Sequence, residues 1–215
     1  MKISLSKILR QFFSLRSIGL PLILISFSVF SSANLEIKSP VNAKIESLML
    51  VGNSFFYYNN SLHNHLGNLI KNDPDVTSMR RRSITISGAD LPWHDIESYL
   101  SNEQIGSFRI DTKNNNKYVP NSDTKIDAVI FMGCSLCPIH PDTKDTFQIY
   151  VKRYSEIIRE KNVEPMLFMS WPYKNKPEMI NLLRNVFVDT ANKNNLLLIP
   201  AGEAFHDFNK SYPEI

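Results

Sequence analysis

The residues best suited to chemistry in this chain surround a serine that follows a short apolar segment. Residues 48–51 are apolar, and Gly52, Asn53 and Ser54 come directly after them. This pattern is typical of a buried strand that ends in a tight turn. A serine hydroxyl becomes a useful nucleophile when a base takes its proton and N–H groups hold the oxyanion that forms. We therefore predict that Ser54 is a nucleophile, with a helix cap as the alternative role.

Five apolar segments predict the sheet that would position this serine. They are short and do not alternate with polar residues, which is typical of strands buried on both faces. They cover residues 47–51, 83–87, 127–131, 165–169 and 196–199. Helical periodicity separates them near residues 62–70, 94–100, 147–158 and 179–187. The alternation predicts an α/β fold of flavodoxin-like type, a doubly wound and mainly parallel five-stranded sheet with helices on both faces. The polar residues 111–123 are predicted to form a surface excursion.

Parallel sheets bind ligands at the carboxyl ends of their strands, so the residues that follow each strand are candidates for the site. We expect Asn53 to shape its turn or to bond across the site. Trp93 and Trp171 follow the second and fourth strands, and we expect them to wall an apolar binding pocket.

The ordered strand ends resemble a known family. Gly52-Asn53-Ser54 is similar to the first block of the SGNH (GDSL-like) hydrolases, Gly88 to their second block and residues 127–135 to their third. The resemblance covers residues 46–208. It implies that Ser54 attacks an acyl ester, and that the Ser54 and Gly88 N–H groups hold the oxyanion together with Ser135. It also implies a small-molecule, glycan or lipid ester as substrate, with no metal or organic cofactor.

Two departures from the family pattern concern the oxyanion and the base. Ser135 stands where the family usually has asparagine, and a serine hydroxyl reaches less far. The family's last block, Asp-x-x-His, normally lies beyond the fifth strand, and this chain ends at about the place where that stretch should begin. We therefore expect a C-terminally truncated domain over residues 34–215. Glu203 and His206 have the spacing carboxylate-x-x-histidine, which predicts His206 as the base and Glu203 as its orienting partner.

Other histidines and the two cysteines offer alternatives. His94 and His140 also follow strand ends and could act as the base. Cys134 and Cys137 form a C-x-x-C, which would be a disulfide in an exported protein or the redox pair of a thiol oxidoreductase. Zinc would require two further ligands; His140 is near, but no fourth ligand is apparent, so no metal site is predicted.

The N-terminal residues have the layout of an export signal. Four basic residues precede the apolar residues 18–30, and the small residues 31–33 follow. We expect residues 1–33 to be cleaved near Ala33, which gives a secreted or periplasmic protein, or to remain as the sole membrane anchor. The net charge of +3, from 24 basic and 21 acidic residues, is too balanced to favour nucleic acid as a partner.

These patterns predict an exported serine ester hydrolase. The alternative from a different class is a non-catalytic or remnant binding domain that has lost its base, since a serine at its free pKa is nearly inert.

Overall fold

The computed structural model describes residues 34–41, 44–76, 78–102, 105, 108–120 and 125–214. The predicted export signal, residues 1–33, lies outside this part of the chain. Within the described residues, no helix is both long enough and apolar enough to cross a bilayer.

A five-stranded parallel sheet forms the centre of the fold, as the sequence predicts. Its strands are β1 (Ser47–Gly52), β2 (Arg80–Thr85), β5 (Ala128–Phe131), β6 (Glu164–Phe168) and β7 (Leu197–Ile199), in the order β2-β1-β5-β6-β7. β1 is buried along its whole length because it has a neighbour on each edge and helices over each face. Val51 is in register with Ile84 of β2 and with Phe131 of β5, so the ends of these three strands lie side by side.

In the described part of the chain, six α-helices cover the two faces. They are α1 (Ser54–Tyr57), α2 (Leu62–Lys71), α3 (Ile96–Ser101), α4 (Lys144–Glu160), α5 (Met179–Lys193) and α6 (Ala201–Ser211). The apolar residues of α3, α4 and α5 share one core cluster with one face of the sheet. Those of α1 and α2, with Ala201 of α6, pack in a second cluster on the other face. The doubly wound architecture is therefore confirmed.

The structure differs from the sequence expectation between residues 108 and 120. A two-stranded antiparallel hairpin, β3 (Phe108–Asp111) and β4 (Lys117–Pro120), occupies part of the predicted surface excursion. Asn115 and Asn116 have φ angles of 53° and 54°, the left-handed conformation that tight hairpin turns require. β4 is mostly exposed, so no apolar alternation marked it in the sequence.

The strand order fixes the location of a site. The chain reverses its winding direction between β1 and β5, and the carboxyl ends of the two strands on either side of this reversal leave a crevice between them. Ser54 follows β1, and Gly133 lies two residues after β5.

Candidate active site

Ser54 is the first residue of the one-turn helix α1, directly after the turn that ends β1. Its side chain is half-buried, and within the described residues no acceptor or donor bonds its hydroxyl. The Asn53 carboxamide oxygen accepts the Phe55 N–H at 3.1 Å, and the Asn53 carbonyl accepts the Phe56 N–H at 2.9 Å. The cap therefore occupies the two following N–H groups and leaves the Ser54 N–H available.

Asn53 also joins β1 to both neighbouring strand ends. Its Nδ2 donates to the carbonyl of Ala89 at 2.8 Å and to the carbonyl of Gly133 at 3.1 Å. The residue is only 4% exposed, so all three hydrogen bonds of its amide are shielded from water. This one side chain fixes the loops after β2 and β5 relative to the serine.

Gly88 lies in the tight turn that follows β2. The Ala89 N–H donates to the carbonyl of Ile86 at 3.1 Å, and Gly88 has a φ of 70°. A residue with positive φ at this position is the mark of a type II turn, where glycine is favoured. Gly88 is exposed, and within the described part of the chain no acceptor takes its N–H.

The loop after β5 approaches the loop after β2 closely. Asp90 Oδ1 accepts the Cys134 N–H at 3.3 Å, and a Cβ on Gly133 would lie 2.8 Å from the same oxygen. A larger residue at position 133 would therefore displace the Asp90 carboxylate that accepts the Cys134 N–H. We call Asn53, Ala89, Asp90, Gly133 and Cys134 the strand-end network.

A disulfide between Cys134 and Cys137 closes the loop after β5. The Cys137 N–H donates to Cys134 Sγ at 3.0 Å. Asp90 and both sulfurs lie within 4.8 Å of one another, a group that could hold a metal only if the cysteines were free thiolates. Redox chemistry of this pair stays a prediction.

Ser135 is held by the loop that follows β6. Its hydroxyl lies 3.1 Å from the Tyr173 hydroxyl, and the Ser170 hydroxyl donates to the Ser135 carbonyl at 3.3 Å. Tyr173 therefore joins the loop after β6 to Ser135, the predicted oxyanion donor.

Trp171 connects α1 to α6. It stacks on Phe55 with ring centroids 4.2 Å apart, and on Phe205 with centroids 4.3 Å apart. The indole is thus stacked between two phenylalanine rings, and Trp171 packs α1 against α6. Trp93, by contrast, is 62% exposed.

Two solved structures share this architecture. A candidate SGNH hydrolase from Slackia heliotrinireducens aligns with a TM-score of 0.51 and 16% identity, over 76% of this chain and 83% of its own. An acetyl xylan esterase, AlAXEase, aligns with a TM-score of 0.52 and 17% identity, over 78% of this chain and 84% of its own.

The chain has the SGNH hydrolase fold.

At these identities the likeness concerns the fold alone. No protein-family model matches the sequence, and no curated protein matches it.

Within this SGNH fold, Glu203 and His206 do not form a pair. Both Glu203 carboxylate oxygens accept hydrogen bonds from Arg184 of α5, at 2.6 and 2.5 Å. The Glu203 hydrogen bond raises the pKa of Arg184, so the guanidinium stays charged. His206 is half-buried and lines a cavity that also contains Tyr173.

His94 has a different environment, since it is 6% exposed. Its Nδ1 lies 3.3 Å from the Tyr99 hydroxyl, and its Nε2 has no hydrogen-bond partner among the described residues. Burial lowers the pKa of His94, although the Gly52 carbonyl and the Asp90 carboxylate act in the opposite direction. The ring is thus neutral at pH 7. His140 is exposed, and its Nδ1 accepts the Asp142 N–H at 3.3 Å.

Sequence reasoning assigned no role to three residues that form contacts at or near the candidate site. Asp90 and Tyr173 follow predicted strands, so their position at strand ends was the available signal. Arg184 lies within α5 and carried no local signal, because its contact with Glu203 spans 19 residues of chain.

Proposed function

We propose that this protein is an exported serine hydrolase that cleaves acyl esters of glycans or small molecules. The observation that carries the proposal is the placement of Ser54. Its unbonded, half-buried hydroxyl stands at the winding reversal of the sheet, between two loops that Asn53 holds in place. A nucleophile held in a fixed position by its scaffold is what acyl transfer requires.

In the proposed reaction, the Ser54 oxygen attacks the acyl carbon and forms a tetrahedral intermediate. The Ser54 and Gly88 N–H groups and the Ser135 hydroxyl are assigned to the oxyanion. Support comes from their placement on three adjacent strand ends and from the two N–H groups that no described acceptor occupies. Loss of one such donor typically costs about 2.7–4 kcal/mol of transition-state stabilisation.

His206 is assigned as the base. It lies on α6, next to Phe205. Phe205 stacks on Trp171, and Trp171 stacks on Phe55, the residue next to Ser54. Glu203 is given no orienting role, because Arg184 occupies its carboxylate. Catalytic hydrogen bonds often form only when substrate is bound, so the unbonded Ser54 hydroxyl is compatible with this assignment.

The glycan ester class draws on a structural neighbour, which is an acetyl xylan esterase. Export draws on the basic and apolar pattern of residues 1–33. Sequencing the N-terminus of the protein recovered outside the cytoplasm would test cleavage near Ala33; an intact N-terminus would favour the membrane anchor.

The test is hydrolysis of p-nitrophenyl acetate by the purified wild type and four variants. We expect Ser54→Ala to lower kcat by about 10³-fold or more, and His206→Ala to lower it by about 10²–10⁴-fold. Ser211→Ala, at the exposed end of α6, and His140→Ala should match the wild type.

Two results would contradict the proposal. Hydrolysis that persists in Ser54→Ala would place the chemistry elsewhere. A folded wild-type protein without turnover would favour the alternative of a binding domain that lacks a base.

A further inference from the structure

A cavity of about 330 Å³ lies between α6 and the loop that follows β6. We call it the α6 cavity. It contains Tyr173 and Lys174 from the loop, and His206, Asn209, Lys210 and Tyr212 from α6 and its end. Its volume is at the small end of the range for ligand pockets, so it has room for a single ring-sized group.

The cavity contains positive charge and no acidic residue. No Asp or Glu lines the cavity. Its lining includes Lys174, His206 and Lys210. Within the described residues, none of these three side chains has a carboxylate partner. Elsewhere in the same part of the chain, Lys125, Lys152 and Lys193 each form an ion pair.

The charges of α6 are separated by helix face. Glu203 and Asp207 are four residues apart, and both act on Arg184 of α5. His206 and Lys210 are also four residues apart, and both line the α6 cavity. Residues four apart share a helix face, so α6 directs its acids toward α5 and its basic groups toward the cavity.

The cavity adjoins the candidate active site through Tyr173. This tyrosine lines the cavity, and its hydroxyl lies 3.1 Å from the Ser135 hydroxyl. A substrate whose ester bond reaches Ser54 would therefore have a neighbouring part within reach of the α6 cavity.

We propose that the α6 cavity binds a carboxylate-bearing sugar of the ester substrate. Lys174 and Lys210 attract the carboxylate, while the tyrosine rings and Asn209 provide the aromatic surface and polar groups that suit a sugar ring. This proposal rests on the proposed hydrolase function, because it names the substrate class of that site as acidic glycan esters.

The first test measures binding without turnover. Trigalacturonate and its uncharged methyl-esterified form are titrated calorimetrically into the Ser54→Ala protein, with and without Lys174→Gln/Lys210→Gln. We expect the acidic sugar to bind about tenfold more tightly than the neutral one, and the lysine double substitution to remove the difference. Higher salt should weaken the preference, since the lysines are exposed.

The matched control is Lys113→Gln/Lys161→Gln, which removes the same charge at two exposed lysines outside the cavity. It should keep the preference. Equal binding of the two sugars, or a preference that survives the Lys174/Lys210 substitution, would overturn the proposal. Lysine-dependent binding to phosphatidylglycerol vesicles without binding to trigalacturonate would also overturn it, in favour of a lipid headgroup.

The second test compares acetate release from acetylated trigalacturonate with free or methylated carboxylates. We expect the ratio of the two kcat/KM values to favour the acidic ester and to fall about tenfold in the Lys174/Lys210 variant. Turnover of both esters at one rate would overturn the cavity assignment and leave the hydrolase function intact. Absence of all turnover, with selective binding retained, would overturn the hydrolase function and leave the cavity assignment intact.

Discussion

The strand-end network and α6 hold their functional residues by different forces. Buried hydrogen bonds fix the strand-end network, and Asn53 alone contributes three of them while only 4% exposed. α6 is held by the stacking of Phe205 on Trp171 and by the ion pair of Glu203 with Arg184. The Arg184 and Glu203 side chains are 38% and 26% exposed. Buried hydrogen bonds are costly to break, whereas exposed ion pairs contribute little. The strand-end network is therefore the rigid half of the candidate site, and α6 is the half that is held more weakly.

Replacing Asn53 should break the rigid half. Asn53→Ala removes the cap of α1 and leaves the carbonyls of Ala89 and Gly133 without their donor. We expect the free energy of unfolding to fall by about 2–4 kcal/mol, with a loss of esterase activity at temperatures where the variant is still folded. Urea unfolding and the ester assay measure the two effects.

Asn64→Ala is the matched control for this substitution. Asn64 is exposed, and among the described residues its amide bonds only the Asn60 carbonyl, so we expect a change below about 0.5 kcal/mol. Equal stability of the two variants would show that Asn53 does not hold the loops together.

Opening the disulfide should have a smaller effect on the same half. The bond closes a loop of only a few residues, so Cys134→Ser/Cys137→Ser should lower the free energy of unfolding by about 2 kcal/mol. Activity should fall as well, because the loop carries Ser135 and the Gly133 carbonyl that Asn53 bonds. A thiol reductant should reproduce both losses in the wild type.

The double serine variant is its own control, since its activity should not respond to reductant. Wild-type activity that is unchanged after full reduction would show that the disulfide does not support the site. Catalysis of disulfide reduction by the wild type, lost in Cys137→Ser, would instead support the oxidoreductase alternative.

Removing the Glu203 charge should have the smallest effect. Glu203→Gln breaks an ion pair with Arg184 that is partly exposed, so we expect a loss below about 1 kcal/mol and ester hydrolysis within about twofold of the wild type. A double-mutant cycle with Arg184→Gln isolates the pair.

Asp207→Asn, on the same face of α6, is the charge control for Glu203→Gln. A fall in kcat of tenfold or more in Glu203→Gln alone would mean that Glu203 orients His206 after all.

Most of the fold could be predicted from the sequence because its central strands are buried. Strands covered on both faces appear as uninterrupted apolar runs, and β1 is the strongest example. β2 was predicted three residues too late, at 83–87 in place of Arg80–Thr85. β2 begins with three arginines, yet Arg82 is only 8% exposed and donates to the Ile105 carbonyl. The hairpin of β3 and β4 escaped notice because exposed strands lack that apolar signal.

The site was predictable as a set of positions and not as a set of partners. Each candidate follows a strand, so the rule of carboxyl ends located Ser54, Gly88 and Ser135 on neighbouring loops. The spacing of Glu203 and His206 suggested a pair, but a contact between two helices gave Glu203 to Arg184. Such contacts depend on how helices pack, which the spacing within one helix does not determine.

The most direct test of Ser54 as the nucleophile is labelling of the purified protein with a fluorophosphonate probe, followed by mapping of the modified peptide. Such a probe reacts with a serine whose hydroxyl is activated. We expect modification at Ser54 in the wild type and none in Ser54→Ala. A folded wild-type protein that stays unlabelled, or that is labelled at another serine, would contradict this expectation.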